Sequence, residues 1–550
     1  VFKQLRNWSV RLLPLLSLAV LAVGSRPLAI QAQEEKPVVV IAINKLAEIT
    51  SDIGMVTELA GQGDAGKVAI GMAGIYTNGI DKTKPAGGYV AMTDAGPKIV
   101  GFIPVTNLKG MLGTFRDRIG TPKEIGDGVL EVGADRAQPM YVKEHAGYAF
   151  IAQDRDHLAK LPDDPTKALA GLEKKYDIAV RLNMENIPAE FRDLIVSNMR
   201  MGFDQAMRQN NGLGDDEQKA AEAIGKEAMK GIVDFIEQAE QMTIGFAIDA
   251  QAKNIALEFS ATARDGTDLA KEMSGQDLGK SLFGGLVSGD PAAKMHFRSV
   301  LAKSAIEQYL KLIAQGREQA LKEIDNDTRL PDQQTRDAVK ASVEDFLDVA
   351  KQTVEKGKLE AAGAVHVSDH VEFLLGGHVA DGLKIEKGVK RIVELVRNLP
   401  GVPTIKLDVA SHNGVNIHTV DLPVFDPQAA KVIGEQAQLV LGFGKDSAYL
   451  GLGSDGIKVL KSGLDAKSTG DDKIPAYAKL MVGPFAALAA KVESNPQTKI
   501  LADAAKKSDG NDHILFQVQQ IERGSTVRIE FGSGLLQMIG EVSKAAQGGN

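Results

Sequence analysis

The sequence predicts an α+β protein, a tandem duplication of an antiparallel β-sheet packed against long amphipathic helices. Two observations predict it. Hairpin-like segments recur at 88–105, 242–262, 361–378 and 513–531, with turn centres about 155, 118 and 153 residues apart. One two-hairpin unit copied in tandem gives that long–short–long rhythm, whereas four equal beads would be evenly spaced. The hairpins are also flanked by stretches with apolar residues at three- and four-residue steps, the period of a helix that buries one stripe.

Taken in order, the chain opens with Lys3, Arg6 and Arg11, an apolar run from Leu12 to Gly24, and Ile30-Gln31-Ala32. That pattern reads as an export signal over 1–32, removed after Ala32. Its apolar core of about 13 residues falls short of the ~20 that span a bilayer. Arg26 and Pro27 interrupt any extension, so no transmembrane segment is expected after cleavage. The first α+β repeat domain is expected over 33–275. It starts with an apolar strand at 38–44 and a helix carrying Leu46, Ile49, Ile53, Val56 and Leu59. A strand at 177–184 precedes a helix over 189–209, opened by Asn186 and Pro188, with Phe191, Leu194, Ile195, Met199, Phe203 and Met207 on one face. A second long helix is expected over 216–241, with Ile224, Met229, Ile232, Phe235 and Ile236. Residues 276–289, rich in glycine and serine, read as a linker or a partly buried turn. The second repeat domain is expected over 290–546, with 547–550 a tail. A strand at 294–300 leads to a helix bearing Ile306, Tyr309, Leu310 and Ile313, and another helix over 335–355 bears Val339, Val343, Phe346, Leu347 and Ala350. In the hairpins Ile244, Phe246 and Ile248 alternate with Thr243, Gly245 and Ala247, and Val527, Ile529 and Phe531 with Arg528 and Glu530. Such alternation predicts sheets with one face covered and one largely solvated.

Beyond residue 32 the chain holds 60 Lys and Arg against 72 Asp and Glu, a net charge of −12. An acidic balance argues against nucleic acid, whose affinity rests on neutralising phosphates, and against anionic lipid surfaces. There is no cysteine, and the only tryptophan, Trp8, lies in the signal. Several hundred residues can stabilise an exported domain without disulfides. Aromatic platforms for sugars or bases are scarce.

The motifs that carry chemistry each have a plainer reading. Gly451, Gly453 and Gly456 spell G-x-G-x-x-G between a strand and a helix, the form of a dinucleotide turn. Sliding the repeats by 299 residues places these glycines on Ala152, Asp154 and His157, so the element forms without glycine. Turn economy explains them better than phosphate binding. Gly275 to Ser281 is one residue short of a P-loop and follows a helix-like stretch, so linker is preferred. The second repeat is richer in histidine, and His366, Asp369 and His370 are the candidate metal ligands. Their spacing falls across a hairpin turn, however, which makes solvated turn histidines the simpler reading. Acidic pairs such as Asp163-Asp164, Asp215-Asp216 and Asp471-Asp472 suit helix caps and turns.

With its signal, its lack of cysteine and its paired hairpin-and-helix units, the whole chain resembles in layout exported proteins of planctomycete-type bacteria. The likeness carries no site residue. No cofactor and no catalytic residue are expected. The function expected is an exported, periplasmic or extracellular, non-catalytic binding or scaffold protein, its partner a protein or an apolar ligand. The alternatives are a periplasmic carrier of lipid or another apolar ligand, and a hydrolase sited in the histidine-rich second repeat.

Overall fold

The computed structural model describes residues 36–547 except 94–95, 134–137, 210–214, 275–277, 331, 468–473, 494 and 509. The expected signal, Asp471-Asp472, the start of the expected linker and residues 548–550 lie outside the described residues. Helices and antiparallel strands both abound, so the α+β content stands. No described helix is long and apolar enough to cross a membrane.

Twenty strands form among the described residues. The first ten are β1 (Pro37–Ile43), β2 (Ala86–Thr93), β3 (Gly96–Pro104), β4 (Lys123–Glu124), β5 (Val129–Val132), β6 (Met140–His145), β7 (Tyr148–Ala152), β8 (Ile178–Asn183), β9 (Ala239–Asp249) and β10 (Asn254–Ala263). They lie side by side as β4-β5-β6-β7-β3-β2-β1-β8-β9-β10. The second ten are β11 (Ala293–Val300), β12 (Lys358–Val367), β13 (Val371–His378), β14 (Ile405–His412), β15 (Val415–Pro423), β16 (Gln436–Gly444), β17 (Ser447–Gly453), β18 (Ala476–Met481), β19 (His513–Ile521) and β20 (Gly524–Gly532). Their order is β14-β15-β16-β17-β13-β12-β11-β18-β19-β20. Adding ten to each label of the first array reproduces the second. The four expected hairpins are β2–β3, β9–β10, β12–β13 and β19–β20.

The chain divides into two compact units. One takes in the described residues up to 51 with 68–247 and 259–271, and the other 52–67, 248–258 and everything from 272 onward. In the first unit Val40, Phe102, Phe150, Leu169, Leu172 and Tyr176 form the main core on one face of the sheet. On the other face the helices Ala189–Gln209 and Asp215–Gln238 contribute Val196, Val233 and Ile236 over Val39, Leu182 and Met242. In the second unit Leu374, Val440, Ile417 and Tyr449 pack beneath Leu460 of the helix Gly456–Asp465.

Two expectations are narrowed or corrected. From Phe283 on, the 276–289 stretch takes the second of its two readings, a buried turn, because Phe283, Leu286 and Val287 are buried in that second core. It is fastened there by polar contacts. Glu360 accepts from the Ser281 hydroxyl and from the Leu282 N–H at 3.2 Å, and the Arg298 guanidinium donates to the carbonyls of Leu278 (2.8 Å) and Gly279. Glycine and serine supply the tight backbone here, which is why composition alone read as a connector. The corrected expectation concerns the strand faces. In β9 the buried set is Ala239, Thr243 and Gly245, while Phe246 is 36% exposed. A Cβ on Gly245 would lie 2.3 Å from the Tyr176 ring, so the small-residue face admits a tight cover, and the bulky apolar face is covered at Met242 but open at Phe246.

Candidate functional site

The proposed metal residues gather round one turn without converging. His366 lies directly opposite Glu372 in the β12–β13 ladder, as the hairpin reading requires. Asp369 is turned outward to Lys491 at 3.1 Å. His370 lies near Gly434 instead, from which an added Cβ would be 3.8 Å away. Among the described residues the three-ligand grouping close enough for an ion lies elsewhere, at Glu386, Asp408 and His418. That grouping does not suit a metal either. Asp408, held at φ 54° beside a register shift in β14, donates its backbone N–H to His418 Nδ1 at 2.9 Å. A neutral imidazole accepting at Nδ1 carries its proton on Nε2, which removes the lone pair a metal needs. Nε2 lies 3.2 Å from Glu386 Oε1, and Lys390 already stands as the cation, 2.7 Å from Glu386 and 2.8 Å from Asp408. Burial lowers the proton affinity of His418, with Glu386 and Asp408 pulling the other way.

Ser281, His296 and Glu360 include the residue types of a hydrolase triad. Their geometry is different. Ser281 Oγ and Glu360 Oε1 approach the same imidazole nitrogen, Nε2, at 3.3 and 3.0 Å. A triad needs the nucleophile on one ring nitrogen and the carboxylate on the other. The Ser281 oxygen also accepts the Phe283 and Gly284 N–H groups at 3.1 and 2.7 Å, so it is tied into the backbone.

The glycine turn is built round a carboxylate of the protein itself. Glu372, buried on β13, accepts from the Ser454 hydroxyl and the Asp455 N–H, both at 3.0 Å. A Cβ on Gly453 would fall 1.8 Å from its Oε2, and Gly453 sits at φ 150°. Glycine is required there by that side chain. In the first unit the corresponding turn uses Asp154, whose own carboxylate accepts from the Asp156 N–H at 2.9 Å. The place of a bound phosphate is thus taken by Glu372, which carries the reading against a nucleotide further than the repeat alignment could.

The remaining candidate is a surface. Directly opposed residues on neighbouring antiparallel strands share a face. Across eight strands of the second array one row reads Leu441, Leu450, Leu375, Gly363, Met295, Ala478, Phe516, Ile529. The next reads Leu439, Leu452, Phe373, Val365, Ala293, Leu480, Ile514, Phe531, and the third Phe443, Ala448, Gly377, Ala361, Phe297, Ala476, Val518, Val527. None of these side chains is polar, and only Gly363 and Phe443 are buried. Leu450, Leu480, Phe531, Phe516, Phe297 and Met295 are 36–46% exposed. At about 4.8 Å between strands and 3.4 Å per residue, the rows span about 34 by 14 Å. A patch of about 480 Å² in plan lies in the range where exposed apolar surface is commonly functional. The opposite face carries Ala362, Leu374, Tyr449, His296 and Arg298, all buried. The alternation that produces the patch was present in the sequence; what periodicity could not state is which face the rest of the chain covers.

Comparison with protein-family models, curated proteins and solved structures returned no match.

Proposed function

We propose that this chain is an exported, non-catalytic binding protein that carries a lipid or another apolar ligand on the open sheet face of its second half. We further propose that the two ten-strand arrays arose by tandem duplication, a reading supported by their common strand order. The observation that carries the functional reading is the three-row apolar face. A sheet interior has no free backbone donor or acceptor, so this face offers dispersion and water exclusion alone. A protein partner would find none of the hydrogen-bonding groups that interfaces usually carry, whereas a hydrocarbon chain needs none. The non-catalytic part is supported by His296, which faces its serine and its glutamate through a single nitrogen.

The test is native mass spectrometry of the protein purified from producing cells, followed by delipidation and titration with a fluorescent fatty acid. The expected result is co-purified lipid and saturable binding, weakened at least tenfold by Phe516→Gln with Met295→Gln. No co-purified lipid together with no saturable binding removes the proposal.

A further inference from the structure

Behind the β12–β13 turn, on the side of the sheet away from the apolar rows, a cleft of about 450 Å³ opens against the first turn of the helix Gly456–Asp465. Its wall includes Glu372, which is 7% exposed. One carboxylate oxygen of Glu372 holds the glycine turn, but Oε2 is buried with no hydrogen-bond partner. A buried carboxylate oxygen without a hydrogen-bond partner is costly to leave unmatched, so it favours a ligand that brings a donor. Asp455 adds negative charge at the cleft, Lys458 is an exposed cation at its rim, and Leu286, Leu374 and Val459 give it an apolar side.

We infer that this cleft binds a small organic cation, an amine or guanidine with a short apolar body, whose N–H group is received by Glu372. Two features favour an organic cation over a metal ion. The volume is in the range of small-molecule sites, far above that of an ion. The His366, Asp369 and His370 side chains beside it do not form a three-ligand group at ion-binding distances. The inference stands apart from the lipid proposal, since it concerns the opposite face and opposite chemistry.

The probes are n-pentylammonium, n-pentanol and pentanoate, titrated into the full chain and followed by ligand-observed NMR and calorimetry. Pentylammonium is expected to saturate one site and to bind at least tenfold more tightly than either control. Glu372→Gln, which keeps the shape and one acceptor, is expected to weaken it at least tenfold. Ser462→Tyr, which fills the cleft from an exposed position on the helix, is expected to abolish binding while the circular dichroism spectrum and melting curve stay those of the parent chain. Equal binding of pentanoate, no saturable amine binding, or an unchanged affinity in Ser462→Tyr overturns the inference. Saturable Ca²⁺ binding at the same residues without amine binding also overturns it.

Discussion

The two ten-strand arrays share one strand order but distribute their helices differently, and that difference decides how far one sheet face is covered. Between β1 and β2 the first array has helices of 14 and 14 residues, where the second, between β11 and β12, has 24 and 23. Between β8 and β9 the first has 21 and 24, where the second, between β18 and β19, has 11 and 12. The long pair of the first array reaches the sheet and covers the row Val39, Leu182, Met242. The short pair of the second packs Ala486, Ala504 and Ala505 on Met538, in a cluster that takes in no strand residue. Its neighbouring row, Ala293, Leu480, Ile514, is left open. A helix of 11 residues is about 16 Å long and one of 24 about 36 Å. On this comparison, helix length at a single crossover separates a covered row from an open one, while farther along the same face of the first array Ile41, Ile178 and Phe246 stay exposed.

The opposite faces differ in how the same space is filled. In the first array Phe102 lies opposite Phe150, with ring centroids 6.2 Å apart. The corresponding pair in the second is Gly376 and Tyr449, and the missing ring is supplied by Phe283 from outside the sheet, 5.6 Å from Tyr449. Phe283 therefore depends on the polar pin of Ser281, His296, Arg298 and Glu360, and the first array has no need of one at this place.

Acid should separate the two cores by the largest margin. Burial pushes the Glu360 carboxyl up, but hydrogen bonds from His296, Ser281 and the Leu282 N–H outweigh it and hold the group at about 2, against an ordinary value of 4.5. Because the folded state holds the lower value, the stabilisation is fully present above pH 4.5 and is lost as pH falls towards 2. The loss is about 3 kcal/mol by linkage. Urea unfolding of the parent chain and of Glu360→Gln should differ by about that amount at neutral pH and converge by about pH 2. A difference that persists unchanged at pH 2 would show that the pin acts by shape alone.

A smaller effect tests the two helix-opening turns. In the first unit Asp154 caps its own turn, while in the second Glu372 reaches across from β13 and Gly453 makes room. Gly453→Ala should cost about 2 kcal/mol through the clash and the left-handed backbone. In a Glu372→Ala background the clash component should vanish, leaving a coupling of about 1 kcal/mol in the double-mutant cycle. Additive costs would mean that the glycine answers to backbone conformation only.

Much of this was legible in the sequence, and the limits are physical. The four hairpins and the long helices followed from periodicity, because a strand of period two and a helix of period 3.6 are local properties. The helix 189–209 was placed to the residue, and 216–241 and 335–355 to within three residues at each end. Composition left 276–289 open between a linker and a partly buried turn, because the burial of Phe283 depends on Glu360, 77 residues away. The role of Gly453 was not legible, since it answers to a side chain on another strand. The candidates His366, Asp369 and His370 are close along the chain, but they are not the residues that form a three-ligand group among the described residues.

The near-neutral change expected of Leu480→Gln bears most directly on the helix-length argument. Leu182 and Leu480 occupy like places on β8 and β18, yet Leu182 is packed beneath the long helices whereas Leu480 is 37% exposed. Leu182→Gln should destabilise by about 1–3 kcal/mol, because an amide enters an apolar contact without a partner. Leu480→Gln should stay within about 0.5 kcal/mol, as surface substitutions do. Equal costs would break the comparison, since both rows would then be covered. Adding a fatty acid sharpens it. A ligand bound only to the folded chain stabilises by RT ln(1 + [L]/Kd), about 2.7 kcal/mol at a hundredfold excess over Kd. That increment should be full in Leu182→Gln and reduced in Leu480→Gln. The residue that contributes least to the free fold should therefore contribute most to the loaded one.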